Sequence, residues 1–190
     1  LTLAVKTYRV QYLSDAERTE LRNSIMLAKS LRHANIVRHL AHDFKHTLYV
    51  YRQDIEFMPS TLRLQLDARR VANKPLAALP ISAVLQQLAD ALVYLHVDMG
   101  VMHRDLKSEN VFVAVQSDDE ASSATPAVYE VLKLGDFGEC CAIPRDNQCL
   151  SLNVGTDQFM APEMVDLVGA REKAYDEKVD IWSMGQILFE

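Results

Sequence analysis

Cysteine, glycine and long apolar runs are all scarce in this sequence of 190 residues, which contains three cysteines and six glycines. Cys140, Cys141 and Cys149 are an odd number of thiols close together in one loop-like stretch, which argues against a disulfide framework. No apolar run approaches the roughly 20 residues that a membrane-spanning helix needs. No glycine precedes Gly100. Because the apolar runs are short and the cysteines do not indicate a disulfide framework, we expect a chain without a membrane span and with a cytoplasmic location.

A surplus of basic residues is also missing. The sequence has 20 Lys and Arg against 26 Asp and Glu, a net charge of −6. Its overall field does not attract nucleic acid or anionic lipid, so we expect no nucleic-acid partner. The composition, 49% hydrophobic and 24% charged, is that of a globular protein with one full core or two small lobes.

The first part of the chain predicts a strand, a helix and further strands. Residues 3–13 are rich in β-branched and aromatic side chains, which favour a strand. Ser14 and Glu17 form a capping-box pattern, which predicts a helix that begins at Ser14. The runs TLYVY and DIEFM then predict two strands. The predicted buried face of the helix carries apolar residues at helical spacing: Leu21, Ile25, Ala28 and Leu31.

The rest of the chain predicts mostly helix with one pair of strands. An amphipathic helix is predicted over residues 81–97, ending near Gly100. NVFVAV and VYEVLKL predict strands, and the acidic run QSDDEASSATPA between them predicts a flexible surface insertion. A short helix near Met164 and a buried terminal helix follow. The apolar face of the long helix is predicted to comprise Val84, Leu85, Leu88, Leu92 and Leu95.

Both ends of the sequence lie inside predicted elements. Leu1 opens a β-rich run, and Glu190 ends an apolar helical pattern. We therefore expect the sequence to be a fragment of a longer protein. Such a fragment would expose apolar residues between Val179 and Phe189, so we expect it to be marginally stable or prone to aggregation in isolation.

The stretch MHRDLKSENVFV, residues 102–113, concentrates polar chemistry in the turn between a predicted helix and a predicted strand. It contains Asp105, Lys107 and Asn110. Phosphoryl transfer needs a carboxylate to accept a hydroxyl proton, a cation to offset phosphate charge and an oxygen ligand for a hard metal ion. A solvated charged turn would show the same residues, so this stretch alone leaves both interpretations open.

Three further motifs follow it. GDFGE places Asp136 at the end of an apolar strand, 26 residues after Asn110, where the two side chains could share a metal ion. GTDQFMAPE supplies the hydroxyl of Thr156 and a turn fixed by proline. YDEKVDIWSMG places Asp180 at the start of an apolar helix.

In this order and at these separations, the four motifs resemble those of the eukaryotic protein kinase family. Lys107 and the Gly-Thr pair before FMAPE are similar to the serine/threonine type, with a weaker similarity to the tyrosine-kinase-like branch. The resemblance implies an α+β, two-lobed kinase fold that is truncated at both ends. Residues 1–58 would form part of the small N-terminal lobe, residues 59–190 part of the helical C-terminal lobe, and the nucleotide cleft would lie near Met58.

The resemblance also implies roles for individual residues. ATP and Mg²⁺ are the expected cofactors, and a serine or threonine of another protein is the expected substrate. Asp105 would accept the hydroxyl proton, and Lys107 would neutralise charge beside the transferring phosphoryl group. Asn110 and Asp136 would bind the metal, and Lys6 in LAVK would contact the α- and β-phosphates.

Supporting roles follow from the same resemblance. Glu56 and Met58 would hold the adenine through the hinge backbone, with Ile55 as gatekeeper. Asp180 would anchor the catalytic loop, and Glu163 would pair with an arginine beyond Glu190. The remaining expectations are packing of His103 against Phe137, a structural hydroxyl at Thr156, and Ser151 as a phosphate acceptor near Arg104, modified by an activating kinase or by autophosphorylation.

Two departures from the family pattern separate two hypotheses. The glycine-rich loop over the phosphates is absent, so we expect the fragment alone to bind ATP poorly and to be inactive. The helix position of the glutamate that pairs with Lys6 is Ser24, although Glu20, one turn earlier, could replace it. The chain is then either an active serine/threonine kinase or a pseudokinase that binds nucleotide or acts as a scaffold. A metal-dependent hydrolase is a third, weaker alternative.

Overall fold

Helices and antiparallel sheets alternate along the chain, which confirms the predicted α+β class. The computed structural model describes residues 2–45, 50–72, 81–117, 128–144, 154–165 and 174–190. The strands are β1 (Leu3–Arg9), β2 (His39–Lys45), β3 (Val50–Glu56), β4 (Ser60–Thr61), β5 (Val101–Met102), β6 (Val111–Ser117), β7 (Val128–Leu134) and β8 (Cys141–Ala142). The helices are α1 (Asp15–Ser30), α2 (Leu62–Ala72), α3 (Ile81–Val93) and α4 (Lys178–Phe189).

The first sheet is antiparallel, with the strand order β1–β3–β2. Alternate residues of β1 point to opposite faces, so Lys6 and Tyr8 are half-buried while Val5 is exposed. Lys6 lies opposite Gln53 of β3 in the register of this sheet. Helix α1 packs beside β2, and the cleft described below lies between them.

Helix α1 follows the sequence prediction. The Ser14 hydroxyl accepts the Glu17 N–H, and the Glu17 carboxylate accepts the Ser14 N–H, which completes the capping box. Ile25, Ala28 and Leu31 are buried as predicted. The N-cap chemistry therefore fixes where the helix begins, and the apolar stripe fixes which face it buries.

The prediction of separate strands in TLYVY and DIEFM was wrong where the structure describes them. The two runs belong to one strand, β3, and its neighbour β2 is a strand that the sequence pattern did not indicate. Arg52 and Asp54 form an ion pair within β3 at 2.6 Å, and buried Gln53 bonds to His39 of β2 at 2.9 Å. Arg52, Gln53, Asp54 and His39 are thus polar residues of these strands that have a partner within the sheet. Residues 46–49 lie outside the described part.

The second sheet has the order β4–β6–β7 and is joined to the first part of the chain by backbone hydrogen bonds. Leu134 of β7 accepts from the Val37 N–H and donates to the Asn35 carbonyl, both at 2.8 Å. The pairing of β6 with β7 confirms the two predicted strands. Residues 118–127 between them lie outside the described part, so the flexible insertion stays a prediction.

The long amphipathic helix is present as α3, and it continues as a π-helical turn, Tyr94–Asp98, before Gly100 at φ +63°. The prediction for Leu85 was wrong, because that side chain is 39% exposed. A 3₁₀ turn, Pro162–Met164, matches the short helix predicted near Met164. Four of the five predicted apolar positions are buried: Val84, Leu88, Leu92 and Leu95.

Helix α4 carries the apolar exposure that the sequence predicts at its end. Trp182 is 46% exposed and Phe189 is 90% exposed. Among the described residues, none of the helices combines the length and apolarity that crossing a membrane requires. The lobe boundary at residue 58 stays a prediction.

Candidate active site

Asp180 holds the backbone of the HRD stretch, which is the predicted catalytic loop, at His103 and Arg104. This anchoring was predicted. Its side chain is fully buried, and its two oxygens accept the N–H groups of His103 and Arg104, each at 2.8 Å. The Nε2 of His96 lies 2.7 Å from the same carboxylate. Arg104 has a φ of +65°, a strained value for a residue with a Cβ atom, so these bonds fix an unfavourable backbone conformation.

The electrostatics of Asp180 agree with this anchoring role. Burial acts to raise the pKa of Asp180, but the hydrogen bond from His96 and the interactions with His103 outweigh it, and the net pKa is lowered. The carboxylate is therefore held in its charged form. A charged acceptor forms stronger hydrogen bonds to the loop N–H groups than a neutral one would.

Asp105 lies at the centre of a polar cluster formed with Lys107, Asn110 and Thr156. Its Oδ2 is 2.8 Å from the Lys107 ammonium and accepts from Asn110 Nδ2 at 3.0 Å. Its Oδ1 accepts the Thr156 hydroxyl at 2.7 Å, and that hydroxyl accepts from Lys107 at 2.7 Å. The structure thus brings together a carboxylate that can accept a proton and an ammonium that can neutralise a phosphoryl group.

The side-chain amide of Asn110 is oriented by the hydrogen bonds that its nitrogen donates. Its Nδ2 donates to both the carbonyl and the carboxylate of Asp105, which leaves its Oδ1 without a hydrogen-bond partner among the described residues. The Asn110 carbonyl accepts from Gly135, at 3.0 Å, so Asn110 lies next to the residue that precedes Asp136. An oriented amide oxygen beside a carboxylate is the type of donor pair that a hard cation such as Mg²⁺ prefers.

His103 and Phe137 pack against each other, as predicted, and so connect the HRD stretch to the DFG stretch. Their rings pack edge to face with centroids 5.3 Å apart. His103 Nδ1 accepts the Asp105 N–H, so its proton is on Nε2, which donates to the Gly135 carbonyl at 3.1 Å. Asp136 follows with a φ of +60°, and this turn directs its carboxylate into the cleft.

The cleft, of ≈ 260 Å³, lies between the first sheet, α1 and the start of the loop after β7. Lys6 crosses it to bond Asp136, with Nζ 2.5 Å from Oδ1. Burial acts to lower the pKa of Lys6, but the hydrogen bond to Asp136 and the interaction with Tyr8 outweigh it and raise the net pKa. The lysine is therefore a persistent cation at the point where the resemblance places the phosphates.

Ser24 also lines this cleft, but it cannot replace a carboxylate. Its hydroxyl donates to the Leu21 carbonyl of its own helix at 2.9 Å. Glu20 is exposed and forms no ion pair among the described residues. In this structure Lys6 contacts Asp136 across the cleft and not Glu20, so replacement of the missing partner by Glu20 stays a prediction.

The predicted hinge residues lie at and just beyond the end of β3. Ile55 lines the cleft, as expected for a gatekeeper. The Glu56 carboxylate is occupied elsewhere, because it accepts two bonds from Lys133 of β7, both at 2.9 Å. Neither backbone group of Met58 has a partner within the described residues. Adenine binding by Glu56 and Met58 stays a prediction.

The segment after Asp136 contacts the catalytic loop at Gly155. A Cβ atom there would lie 2.4 Å from the Arg104 carbonyl oxygen, and the φ of +102° also favours glycine. Arg104 donates to the Glu139 carbonyl at 2.7 Å and to the Tyr175 hydroxyl at 3.3 Å. Ser151 lies outside the described residues, so its phosphorylation stays a prediction.

Three polar side chains that line the cleft were missed by reasoning from the sequence: Tyr8, His39 and Gln53. They form a hydrogen-bonded chain along the inner wall of the cleft. Tyr8 carried a usable signal, because it lies two residues after Lys6 on a predicted strand and so shares its face. His39 and Gln53 carried none, since no spacing rule links them to Lys6.

Comparison with known proteins identifies the family. The family model described as Protein kinase domain matches residues 1–190. The serine/threonine-protein kinase shk1/pak1 of Schizosaccharomyces pombe is 28% identical over 100% of this chain and 25% of its own length. The serine/threonine-protein kinase TIO of Arabidopsis thaliana is 32% identical over 100% of this chain and 12% of its own length.

A third relative gives the same result. The ovarian-specific serine/threonine-protein kinase Lok of Drosophila melanogaster is 35% identical over 88% of this chain and 31% of its own length. The chain thus spans less than a third of the length of each of these relatives. From the full match of the family model and the geometry around Asp105 and Asp136, we conclude that this chain belongs to the protein kinase domain family.

Proposed function

We propose that this domain catalyses transfer of the γ-phosphoryl group of MgATP to a serine or threonine hydroxyl of another protein. The observation that carries the proposal is the cluster around Asp105, in which one carboxylate contacts Lys107, Asn110 and Thr156 within 3.0 Å. Fold stability does not require a carboxylate, an ammonium, an amide and a hydroxyl at one half-buried point. Phosphoryl transfer requires the first three.

Each residue of the cluster has a distinct task in this reaction. Asp105 orients the attacking hydroxyl and accepts its proton at a carboxylate oxygen. Lys107 offsets the negative charge of the transferring phosphoryl group. Thr156 bonds both side chains and so fixes their separation. Asp180 holds the loop from behind through the His103 and Arg104 N–H groups.

The residues present fit ATP and magnesium. Asn110 Oδ1 and the Asp136 carboxylate supply oxygen ligands, and the Asp136 side chain is 39% exposed to the cleft. Bound Mg²⁺ would offset phosphate charge. Lys6 presents an ammonium to the same cleft and would bind phosphate oxygens.

A pseudokinase is the second candidate, and one contact favours it. The Lys6 ammonium bonds Asp136 directly at 2.5 Å, on a carboxylate that metal binding would need. With Ser24 in the glutamate position, no carboxylate of α1 draws Lys6 away from Asp136 among the described residues. The protein would then bind nucleotide weakly and act as a scaffold.

Transfer of radiolabelled phosphate from [γ-³²P]ATP to a serine- and threonine-containing protein substrate tests the proposal. The full-length protein is compared with Asp105→Asn and Asp136→Asn. We expect Asp105→Asn to lower kcat by about 10²–10⁴-fold, the usual contribution of general-base catalysis, with little change in MgATP affinity. Asp136→Asn should abolish transfer and weaken magnesium-dependent nucleotide binding.

The matched control is Asp157→Asn, which changes an exposed carboxylate one residue after Thr156. We expect it to transfer phosphate at the normal rate. Equal rates for the unchanged protein and for both active-site variants would refute the kinase proposal and favour the scaffold.

A further inference from the structure

We propose that Gln87 is a positioning residue for the candidate active site: its side-chain amide, together with Asn35, fixes the end of β7 and so the place of Asp136. The inference rests on the proposed function only in the role that it gives to Asp136 toward metal-bound nucleotide. Its structural part concerns the free protein and can be tested without any substrate.

The first step is the edge of β7 that faces away from β6. β7 is the last strand of the sheet β4–β6–β7, so its outer edge carries backbone groups that no strand of that sheet bonds. Alternate residues of a strand direct their N–H and C=O groups to the same edge. The outer edge therefore needs partners for three residues spaced two apart, Glu130, Leu132 and Leu134.

The second step is that two side-chain amides supply partners for the first two of these residues. Gln87 Oε1 accepts the Leu132 N–H at 2.8 Å, and Gln87 Nε2 donates to the Glu130 carbonyl at 3.3 Å. Asn35 Nδ2 donates to the Leu132 carbonyl at 2.8 Å and to Gln87 Oε1 at 3.0 Å. Because the backbone groups have fixed donor and acceptor roles, they determine how each amide is oriented.

The third step is the short path from this edge to Asp136. Leu134 is bonded on the same edge by the backbone of residues 35 and 37, and Gly135 follows it. A Cβ atom on Gly135 would lie 2.9 Å from the Val37 side chain, which lines the cleft, so the backbone there is closely packed. Close-packed groups transmit a displacement to their neighbours. A shift of β7 would therefore move Asp136, the next residue, relative to the cleft.

Amide hydrogen exchange, resolved to single residues, measures this role in the full-length protein without nucleotide. The variants are Gln87→Met, which keeps the length of the side chain and loses its hydrogen bonds, and Gln87→Asn, which keeps the amide on a side chain one methylene shorter. The control is Gln86→Met. Gln86 is a glutamine of the same helix, but it is exposed and bonds Asp90 one turn later, so its replacement should leave the exchange rates unchanged.

We expect Gln87→Met to speed exchange at Leu132, whose N–H loses its acceptor, and also at Gly135, whose N–H keeps the Asn110 carbonyl. The amide of Ile25 in α1 is the internal reference, because global unfolding speeds its exchange as well. The increase at Gly135 should exceed that at Ile25 about fivefold, which corresponds to the net contribution of one neutral hydrogen bond.

A nucleotide readout separates positioning of Asp136 from a merely structural role. We expect Gln87→Met to raise the Kd for MgADP about fivefold, since Asp136 would act on the nucleotide through the metal. The Kd for ADP in the presence of EDTA should change less than twofold for the same reason. An equal rise in both Kd values, or an unchanged Kd for MgADP, would overturn the positioning role.

The exchange data separate a failure of this inference from a failure of the proposed function. Faster exchange at Gly135 than Ile25 accounts for supports the positioning role even if the unchanged protein binds no MgADP, and only the proposed function would then fail. An increase confined to Leu132, or one that is equal at Gly135 and Ile25, would overturn the role. If Gln87→Met does not fold, the same comparison in Gln87→Asn decides between these outcomes.

Discussion

Replacing Asp180 by asparagine should both destabilise the domain and disorder its catalytic loop. The carboxylate accepts the His103 and Arg104 N–H groups and lies 2.7 Å from His96 Nε2, with no exposed surface. An asparagine keeps one acceptor oxygen. Its NH₂ group then faces donors, so at least one buried backbone N–H loses its partner.

The magnitude follows from these contacts. A hydrogen bond to a charged group contributes about 1.5–3 kcal/mol, and a buried donor without a partner costs about 1–3 kcal/mol. We therefore expect Asp180→Asn to lower the free energy of unfolding by about 2–4 kcal/mol. Against a typical domain stability of about 5–15 kcal/mol, this loss would be easily measured. Because Arg104 is held at φ +65° by the same bonds, kcat should fall as well.

Urea denaturation followed by tryptophan fluorescence measures the first effect, and phosphate transfer measures the second. The control is Asp176→Asn. Asp176 lies near the start of the same helix, and its carboxylate bonds the exposed Lys178. That variant should change the free energy of unfolding by less than about 0.5 kcal/mol. An unchanged urea midpoint and an unchanged kcat in Asp180→Asn would refute the anchoring role.

Two further predictions concern stability. The pKa of His39 is lowered in the folded state, so the stability that its neutral imidazole contributes is complete above the ordinary pKa of 6.5 and is lost as the pH falls through the folded value. His39→Leu should therefore flatten the decline in the urea midpoint between about pH 7 and pH 5. An unchanged slope would contradict this prediction. Gly155→Ala should cost about 2 kcal/mol or more, because its Cβ would lie 2.4 Å from the Arg104 carbonyl. It should also slow transfer by displacing Thr156 from Asp105, whereas a normal urea midpoint would rule out the close approach.

The features that could be predicted from the sequence have short-range or motif signals. The capping box at Ser14 locates the start of α1 because both of its hydrogen bonds span three residues. The HRD and DFG stretches indicate Asp105 and Asp136 through their resemblance to the motifs of the protein kinase family. Asp180 was likewise identified by resemblance, and the structure shows the hydrogen bonds behind its role.

The features that could not be predicted depend on contacts between distant residues. Strand β2 has the sequence HLAHDFK, in which polar residues obscure the alternation of apolar and polar side chains that is typical of a strand. Its buried His39 is tolerated because Gln53, on the neighbouring strand, bonds its Nδ1. The contact of Lys6 with Asp136 joins residues 130 positions apart, so no local spacing distinguishes it from a contact with Glu20.

The Glu56–Lys133 ion pair has a consequence for how the cleft can open. It joins the end of β3 to β7 through side chains only 24% and 15% exposed, next to the backbone bonds between Leu134 and residues 35 and 37. Within the cleft, Lys6 and Asp136 are joined by an ion pair whose side chains are 38% and 39% exposed. Water and phosphate compete for the second pair far better than for the first. The Lys6–Asp136 pair is thus the more easily exchanged of the two, and under the proposed function the phosphates of an incoming nucleotide would compete for Lys6 there.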